Sequence, residues 1–432
     1  MLDNSIKQYM NGNSNTGYID NELIKSPKIS EGMIPVYWNG SNWIKTTTED
    51  SKWYNYTNKE WANVVLGDST FNGNVLDESK PYSQLVWIPR FAYKITSGWH
   101  SSDKGTIDVV FVGTDNKGKD GTTYDGTYAA ATSGVASGGA MKNYVVEPAF
   151  DYGDKKLEGF WIGKFESSHT GCTTDKETGQ VIFTGNEIMQ VKANVTSWRN
   201  ITIGDSFTTC LNMNKASNPY GLNTNDNVVD PHMVKNTEWG ACAYLSKSKY
   251  GKEIDEVFIN NSSDHITGNA GATTSAAGVA GVTNAYHTAN GQKASTTGNI
   301  YGVYDMNGGN WERAAAYVNN NYANLQTNGK SVVEGAAKYK EVYEQGETDI
   351  QELNYGKAAN KYGDAVYETS NSGTSASASW NRDCAYFVFS NWIFFSRGGA
   401  CSNATDAGIF AFSSTAGGTN TDNGFRVTVP VI

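Results

Sequence analysis

Thiol and metal chemistry would have to be built from five cysteines and five histidines, and their spacing argues against both. Cys172, Cys210, Cys242, Cys384 and Cys401 contain no CxxC pair, the spacing a structural zinc or a redox dithiol uses. They are odd in number and scattered, which speaks against a disulfide framework. The histidines are isolated. The acidic run Glu253, Asp255 and Glu256 reads as a solvated face, and no serine nucleophile elbow, P-loop or dinucleotide fingerprint occurs. What remains is the chemistry of non-covalent contact, concentrated in the last fifty-two residues, Asn381 to Ile432. These contain no Lys, Glu, Gln or Met, whereas the 380 residues before them contain 28, 20, 8 and 8. Phe, Ser, Ala, Gly, Asn, Thr and Asp stand in their place, with three of the six arginines. Exposed Tyr, Phe and Arg are efficient interface anchors, and Asn, Ser and Gly supply adaptable hydrogen bonding. So sharp a boundary marks a segment written by a different mutational process, the expectation being a ligand-facing surface under diversification.

The rest of the chain must hold that segment up. At 432 residues it is long enough for two or three domains. With 18% charged residues, 12% aromatic residues and 46 glycines it suits a folded, loop-rich, aromatic-pinned protein. A net charge of −10 argues against a nucleic-acid partner. The N-terminus has no basic start followed by an apolar core, so it does not read as a secretory signal. No apolar run approaches the ~20 residues that cross a bilayer, so no membrane insertion is expected.

Residues 33–65 place Trp38, Trp43, Trp53 and Trp61 between Asn-Gly and Ser-Asn turn signals, which predicts a small β-meander. It reads as an N-terminal β-rich attachment module within residues 1–80, the alternative being the first strands of the main domain. Residues 66–82 read as a linker. A strand is predicted at Gln84–Ile95, and residues 97–141 as an insertion with hairpins. GFWIGKFESS at 159–168 alternates as a half-buried strand does. VKNTEWGACAYLSKSKYG at 234–251 is the best helix, with Asn236 or Thr237 as cap, Trp239, Cys242, Ala243 and Leu245 near one face, and Gly251 as stop. Residues 266–299 form a small-residue loop to be ordered by its neighbours.

Taken in order, several segments resemble the formylglycine-generating-enzyme (sulfatase-modifying) type of C-type-lectin-like fold. LVWIPRFAYKI resembles its opening strand, and GFWIGKFESS its F-x-I-x-K-x-E strand. KNTEWGACAYLS resembles its helix and GVYDMNGGNWE its G-L-Y-D-M-x-G-N-x-W-E loop. RGG at 397–399 and GFRV at 424–427 resemble its closing strands. The resemblance covers residues 81–432 and implies an α+β, loop-rich domain. The enzymes of this family need a reactive cysteine some sixteen residues before the GFR motif. DAGIFAFSSTAGG stands there instead, and Cys384 and Cys401 lie too early, so no enzymatic activity is expected. The matching loop of the family implies a structural Ca²⁺ held by Asp305, Gly308, Asn310 and Glu312, hard oxygen donors that suit this ion. The alternative is a glycine turn in which Glu312 caps backbone amides. No other cofactor is implied.

The tail resembles, more particularly, the variable proteins of diversity-generating retroelements. Their C-terminal segment is recoded at adenines of asparagine codons, which reaches fifteen residue types but not Lys, Glu, Gln, Met or Trp. Trp392 is then template-encoded and fixed. The resemblance implies a ligand-binding segment 381–423 with variable positions Arg382, Cys384, Tyr386, Val388, Phe389, Ile393, Ser396, Ala400, Cys401, Ala404, Asp406, Ala411, Ser413, Ser414, Ala416 and Thr419. Phe410, Phe412, Phe425 and at least one of Phe394 and Phe395 would point inward, and Ala411 outward, by the period of two. The function so implied is that of a phage or prophage receptor-binding protein, a homo-oligomer attached to a tail or surface scaffold by its N-terminal module and gripping a host-surface protein or glycan. It would reside on the virion, or at the cell surface after cytoplasmic synthesis. An undiversified structural tail or surface protein with a lectin-like domain is the alternative.

Overall fold

The computed structural model describes residues 24–182 and 187–432. The architecture is α+β: short strands gathered in two large mixed sheets, few helices, and long loops that pack against them. The predicted opening strand forms at Ser83–Pro89, and all seven residues are buried. It pairs antiparallel with Gly159–Gly163, Trp87 opposite Trp161, and with Asn63–Leu66, Val64 opposite Leu85. Strand Gly159–Gly163 then pairs with Val427–Val429 at the C-terminus.

The N-terminal strands belong to this same sheet. Met33–Trp38 pairs with Asn63–Leu66 and with Trp43–Lys45, so the described part of residues 1–80 is not a separate module. The physical reason is aromatic burial across the expected boundary. Trp43, Trp53 and Trp61 are buried, the Trp61 indole N–H donates to the Tyr250 carbonyl at 2.8 Å, and Asn63 Nδ2 donates to the Tyr301 carbonyl at 2.9 Å. The proposed linker at 66–82 carries two short strands, Phe71–Asn72 and Val75–Leu76, at the sheet's edge. Residues 1–23 lie outside the described residues.

The stretch 159–168 is buried throughout, not half-buried. Its second face is covered, since the Trp161 indole N–H donates to the Lys28 carbonyl at 2.7 Å. Lys164 survives inside because its ammonium reaches Asn63 Oδ1 at 3.0 Å and the Ile300 and Gly302 carbonyls at 2.7 and 2.9 Å. It also stands 4.9 Å from the Trp43 ring centroid, which recovers part of the desolvation cost.

The predicted helix forms at Asn236–Lys247, buried on every side except at Thr237. It starts on Lys235, whose backbone N–H donates to Glu238 Oε2 at 2.9 Å, not on an Asn236 or Thr237 side chain. It ends before Ser248, ahead of Gly251. Gly240 lets the chain pass, since a Cβ there would sit 1.9 Å from the Gly363 carbonyl oxygen.

The second sheet is largely the tail. Its order runs Glu341–Tyr343, Trp311–Val318, Phe394–Gly398, Gly408–Thr415, Ala385–Tyr386, Thr374–Ser375, with Asn423–Phe425 also pairing with Trp311–Val318. No helix among the described residues is long and apolar enough to cross a membrane.

Candidate recognition surface and the loop beneath it

The tail is anchored by a buried frame. Phe394, Phe395, Phe410, Phe412 and Phe425 are all buried. Arg397 is the strut. Its Nε donates to the Ala411 carbonyl at 3.0 Å, and its Nη1 and Nη2 to the Asp364 and Ala365 carbonyls at 2.8 and 3.0 Å. Burial pulls its pKa down to about 10, and its guanidinium carbon lies 5.7 Å from the Trp239 ring centroid. The Trp239 indole N–H in turn donates to the Ile409 carbonyl at 2.8 Å. Helix and tail are thus one packed unit.

The sixteen proposed contact positions divide by depth. Arg382, Tyr386 and Thr419 are exposed, and Phe389, Ala404, Asp406, Ser413, Ser414 and Ala416 are half-buried. Cys384, Val388, Ile393, Ser396, Ala400, Cys401 and Ala411 are buried and cannot contact a ligand in this conformation, a correction to the predicted set. The reasons are local. Gly408 through Phe412 are buried without a break, so both faces are covered there and the period of two is lost at Ala411. Ser396 is turned to Asn423, with Oγ donating to Oδ1 at 3.2 Å. The Cys401 backbone N–H donates to the Gly309 carbonyl at 2.9 Å, and that of Cys384 to the Asp406 carbonyl at 3.0 Å. The Ala400 backbone N–H donates to Asn403 Oδ1 at 2.7 Å. Val388 and Ile393 flank a tight hairpin, and their carbonyls accept from Asn354 Nδ2 at 3.1 Å and the Val318 N–H at 3.0 Å.

The remaining positions follow the strand Gly408–Thr415, which at 3.3 Å per residue spans roughly 26 Å. Arg382 and Asp406 lie toward its start, joined through Cys384. Ala385 pairs in parallel register with Phe412, which sets Tyr386 beside Ser413. Ala416 and Thr419 continue past its end, beside Asn328 and Asn200. Arg382 meets Asp103 at 3.4 Å with both side chains largely exposed, a pair that water screens almost completely.

Sequence reasoning missed part of the surface. Trp392, set aside as fixed, is 50% exposed and ends a two-residue turn whose flanking residues Phe389 and Trp392 form a bridge. Exposed Tyr322, Val342, Ile350 and Leu353 lie outside the tail. Their segments are tied to it by Asn320 Nδ2 to the Ser390 carbonyl at 2.7 Å, Asn324 Nδ2 to the Asn391 carbonyl at 2.9 Å, and Gln351 Nε2 to the Phe387 carbonyl at 2.9 Å. The Ser390-Asn391 pair is a turn signal that places Trp392 at a tip. Nothing in the tail's composition points to the other four.

The loop Asp305 to Glu312 does not fit the expected Ca²⁺ ligand set. Asp305 Oδ1 accepts from Asn260 Nδ2 at 2.9 Å and the Gly268 N–H at 2.8 Å, and Oδ2 accepts from the Glu166 N–H at 3.3 Å. Glu312 is fully engaged with Arg426, whose Nε donates to Oε2 at 2.8 Å while Nη2 contacts Oε1. Burial raises Glu312 to about 7 against the pull of that arginine. Asn310 donates its backbone N–H and Nδ2 to Glu166 at 2.7 and 2.6 Å, leaving Oδ1 as the one unpartnered side-chain oxygen of the set. A cation would have to displace protein donors from both carboxylates. Nor does Glu312 cap backbone amides, since Arg426 holds both of its oxygens. Gly308 lies at φ +80°, packed against Asn260. Among the described residues no group of three or more His, Cys, Asp or Glu is arranged to hold a metal.

The tail cysteines are not activated thiols. Burial pushes Cys384 up to about 12 and Cys401 up to about 11. No protein-family model matches this chain, and no curated protein matches it.

Proposed function

We propose that the protein is a non-enzymatic binding protein whose diversified C-terminal segment grips a host-surface protein or glycan. It serves as a receptor-binding protein of a phage or prophage tail, or at a cell surface, displayed as a homo-oligomer so that multivalency offsets weak single-site affinity. Its frame is a C-type-lectin-like domain of the formylglycine-generating-enzyme type, supported by the way the motif residues meet: Arg426 with Glu312, Arg397 with Trp239, Glu166 with Asn310, Trp87 with Trp161.

One observation carries the reading. Nine positions of the tail are exposed, namely Arg382, Tyr386, Trp392, Ser402, Thr405, Thr419, Asn420, Thr421 and Asp422. None is Lys, Glu or Gln, the residues that normally fill such sites. Burial therefore does not account for their absence from the tail, whereas template-directed recoding does.

The test is binding of the purified full-length protein to host cells. Arg382→Ala combined with Tyr386→Ala should reduce binding at least roughly tenfold with an unchanged melting temperature. Undiminished binding would end the reading. Sequencing the locus gives a second check: a reverse transcriptase gene beside a near-copy of residues 381–423, differing at adenines, is expected. A locus with neither would leave an undiversified structural tail or surface protein.

A further inference from the structure

Away from the tail positions, the chain closes a cleft of about 400 Å³ between the start of helix Asn236–Lys247, the segment Ala337–Tyr343 and the segment Asn360–Asp364. None of the sixteen proposed contact residues lines it. In a chain of net charge −10, this one space gathers four lysines, Lys235, Lys338, Lys340 and Lys361, beside three carboxylates, Asp151, Glu341 and Asp364.

The carboxylates that share the cleft are already engaged. Asp151 lies 3.5 Å from Arg90. Glu341 accepts from the Thr237 N–H at 3.1 Å and from its hydroxyl. Asp364 accepts from the Tyr343 hydroxyl at 2.8 Å and the Val366 N–H at 3.0 Å. Burial raises both Glu341 and Asp364, against the pull of nearby Lys361.

Two of the four ammonium groups are also committed, Lys338 to Asp230 and Lys235 to Glu238 at 3.5 Å. The other two have no carboxylate of the described residues within ion-pair distance. Lys340 reaches only the Val333 carbonyl, and Lys361 stands 4.6 Å from the Tyr343 ring centroid. Among the described residues neither forms an ion pair.

The remaining wall is what a sugar ring needs. Tyr362 offers an aromatic edge, braced by a stacked Tyr128 at 4.8 Å, and Asn360 offers an amide group. The volume falls in the range of small-ligand sites and takes one or two sugar units. We propose that this cleft binds a carboxylate-bearing sugar, its acid group held between Lys340 and Lys361 and its ring lying against Tyr362. This site is separate from the tail surface and does not depend on it.

Titration calorimetry on the full chain tests the assignment, with glucuronate, galacturonate and N-acetylneuraminate as probes beside glucose and inorganic phosphate. At least one acidic sugar should bind, weakening as salt is raised, while glucose gives no heat. Inorganic phosphate should bind roughly tenfold more weakly or not at all. The paired substitutions Lys340→Gln and Lys361→Gln, both outside the core, should cost acidic-sugar affinity roughly tenfold or more at an unchanged melting temperature. Failure of all three acidic sugars to bind would overturn the proposal. So would phosphate binding as well as the best of them, or affinity that survives the double substitution.

Discussion

Ser396 and Ser413 face each other across two antiparallel strands, yet they belong to different regions of the tail. Ser396 is 2% exposed and bonded to Asn423, while Ser413 is half-buried on the line that runs toward Tyr386. Arg397 and Arg382 repeat the contrast. The first is spent on three carbonyls and a tryptophan face. The second ends in solvent opposite Asp103. Both kinds of position lie within one compositionally uniform segment, but only the shallow kind can be exchanged without disturbing the frame. The lesson is that exchangeability follows depth within the sheet and not composition along the chain.

The contrast is broken most forcefully at Arg397. Arg397→Ala strands three buried carbonyls and empties the space over Trp239, so a loss of about 3–5 kcal/mol is expected in urea unfolding. Arg382→Ala should change stability by less than about 0.5 kcal/mol. Equal losses from the two would remove the distinction between frame and line.

A gentler pair of substitutions sharpens it. Ser396→Tyr forces a ring into a closed site and should cost about 1–3 kcal/mol or more by overpacking. Ser413→Tyr extends onto the exposed side and should stay within about 0.5 kcal/mol. Thermal melts of the two purified variants decide it, and a Ser396→Tyr protein as stable as the parent would place that position back on the surface.

Local pattern made part of this organisation readable. The helix at Asn236–Lys247 comes from a small-residue and apolar run between polar flanks and formed close to where it was predicted. The strand predicted at Gln84–Ile95, by contrast, is two strands in different sheets, Ser83–Pro89 and Phe91–Ser97, and that at 159–168 is two strands, Gly159–Gly163 and Ser167–Thr170. Depth was not readable. Residues 159–168 look half-buried because Lys164 and Glu166 alternate with Phe165, but Lys164 finds three oxygen partners inside. The N-terminal strands looked independent because nothing local announces that Asn63–Leu66 will pair with Ser83–Val86. At the candidate site, composition marked out a segment but could not separate Ala411 from Ser413, since both are small, yet one is buried and the other half-buried. The exposed apolar residues Tyr322, Ile350 and Leu353 lie on segments tied to the tail by long-range hydrogen bonds, and Val342 beside Tyr343, which packs on Phe387 and Phe395; such contacts leave no trace in the tail's composition.

The buried frame should also carry a pH dependence. Glu368 is buried beneath the hydroxyls of Tyr93 and Tyr244, each donating at 2.8 Å, and burial raises its pKa to about 8. An acid whose folded value lies above its unfolded value favours folding most at low pH. Its contribution is complete below the unfolded value and disappears as pH climbs through the folded one. Urea midpoints should therefore fall between about pH 5 and about pH 8.5, and Glu368→Gln should flatten that fall. Glu238 acts in the opposite sense. Burial alone would raise it, but His232 and Lys235 hold it at about 2, so its contribution is present above its unfolded value and is lost only as the solution is made strongly acid. A wild-type midpoint that rises from pH 5 to 8.5 would assign the dominant buried carboxylate elsewhere.

The smallest effect is expected where a metal was first anticipated. Arg426 occupies Glu312 on both oxygens and also reaches the Gly163 and Tyr304 carbonyls at 2.7 and 2.9 Å. Backbone and amide donors occupy Asp305. Positive charge is thus supplied to the loop from within the chain, and the frame beneath the tail should be as rigid without divalent cations as with them. Chelation followed by calcium addition should move the melting temperature by less than about 1 °C in either direction, against the several degrees that a bound structural ion contributes. A fall on chelation that calcium restores would mean that the loop opens to admit the ion. It would then follow that Asn310 Oδ1, the one unpartnered side-chain oxygen of the expected set, is a ligand and that Asp305 gives up an amide to join it.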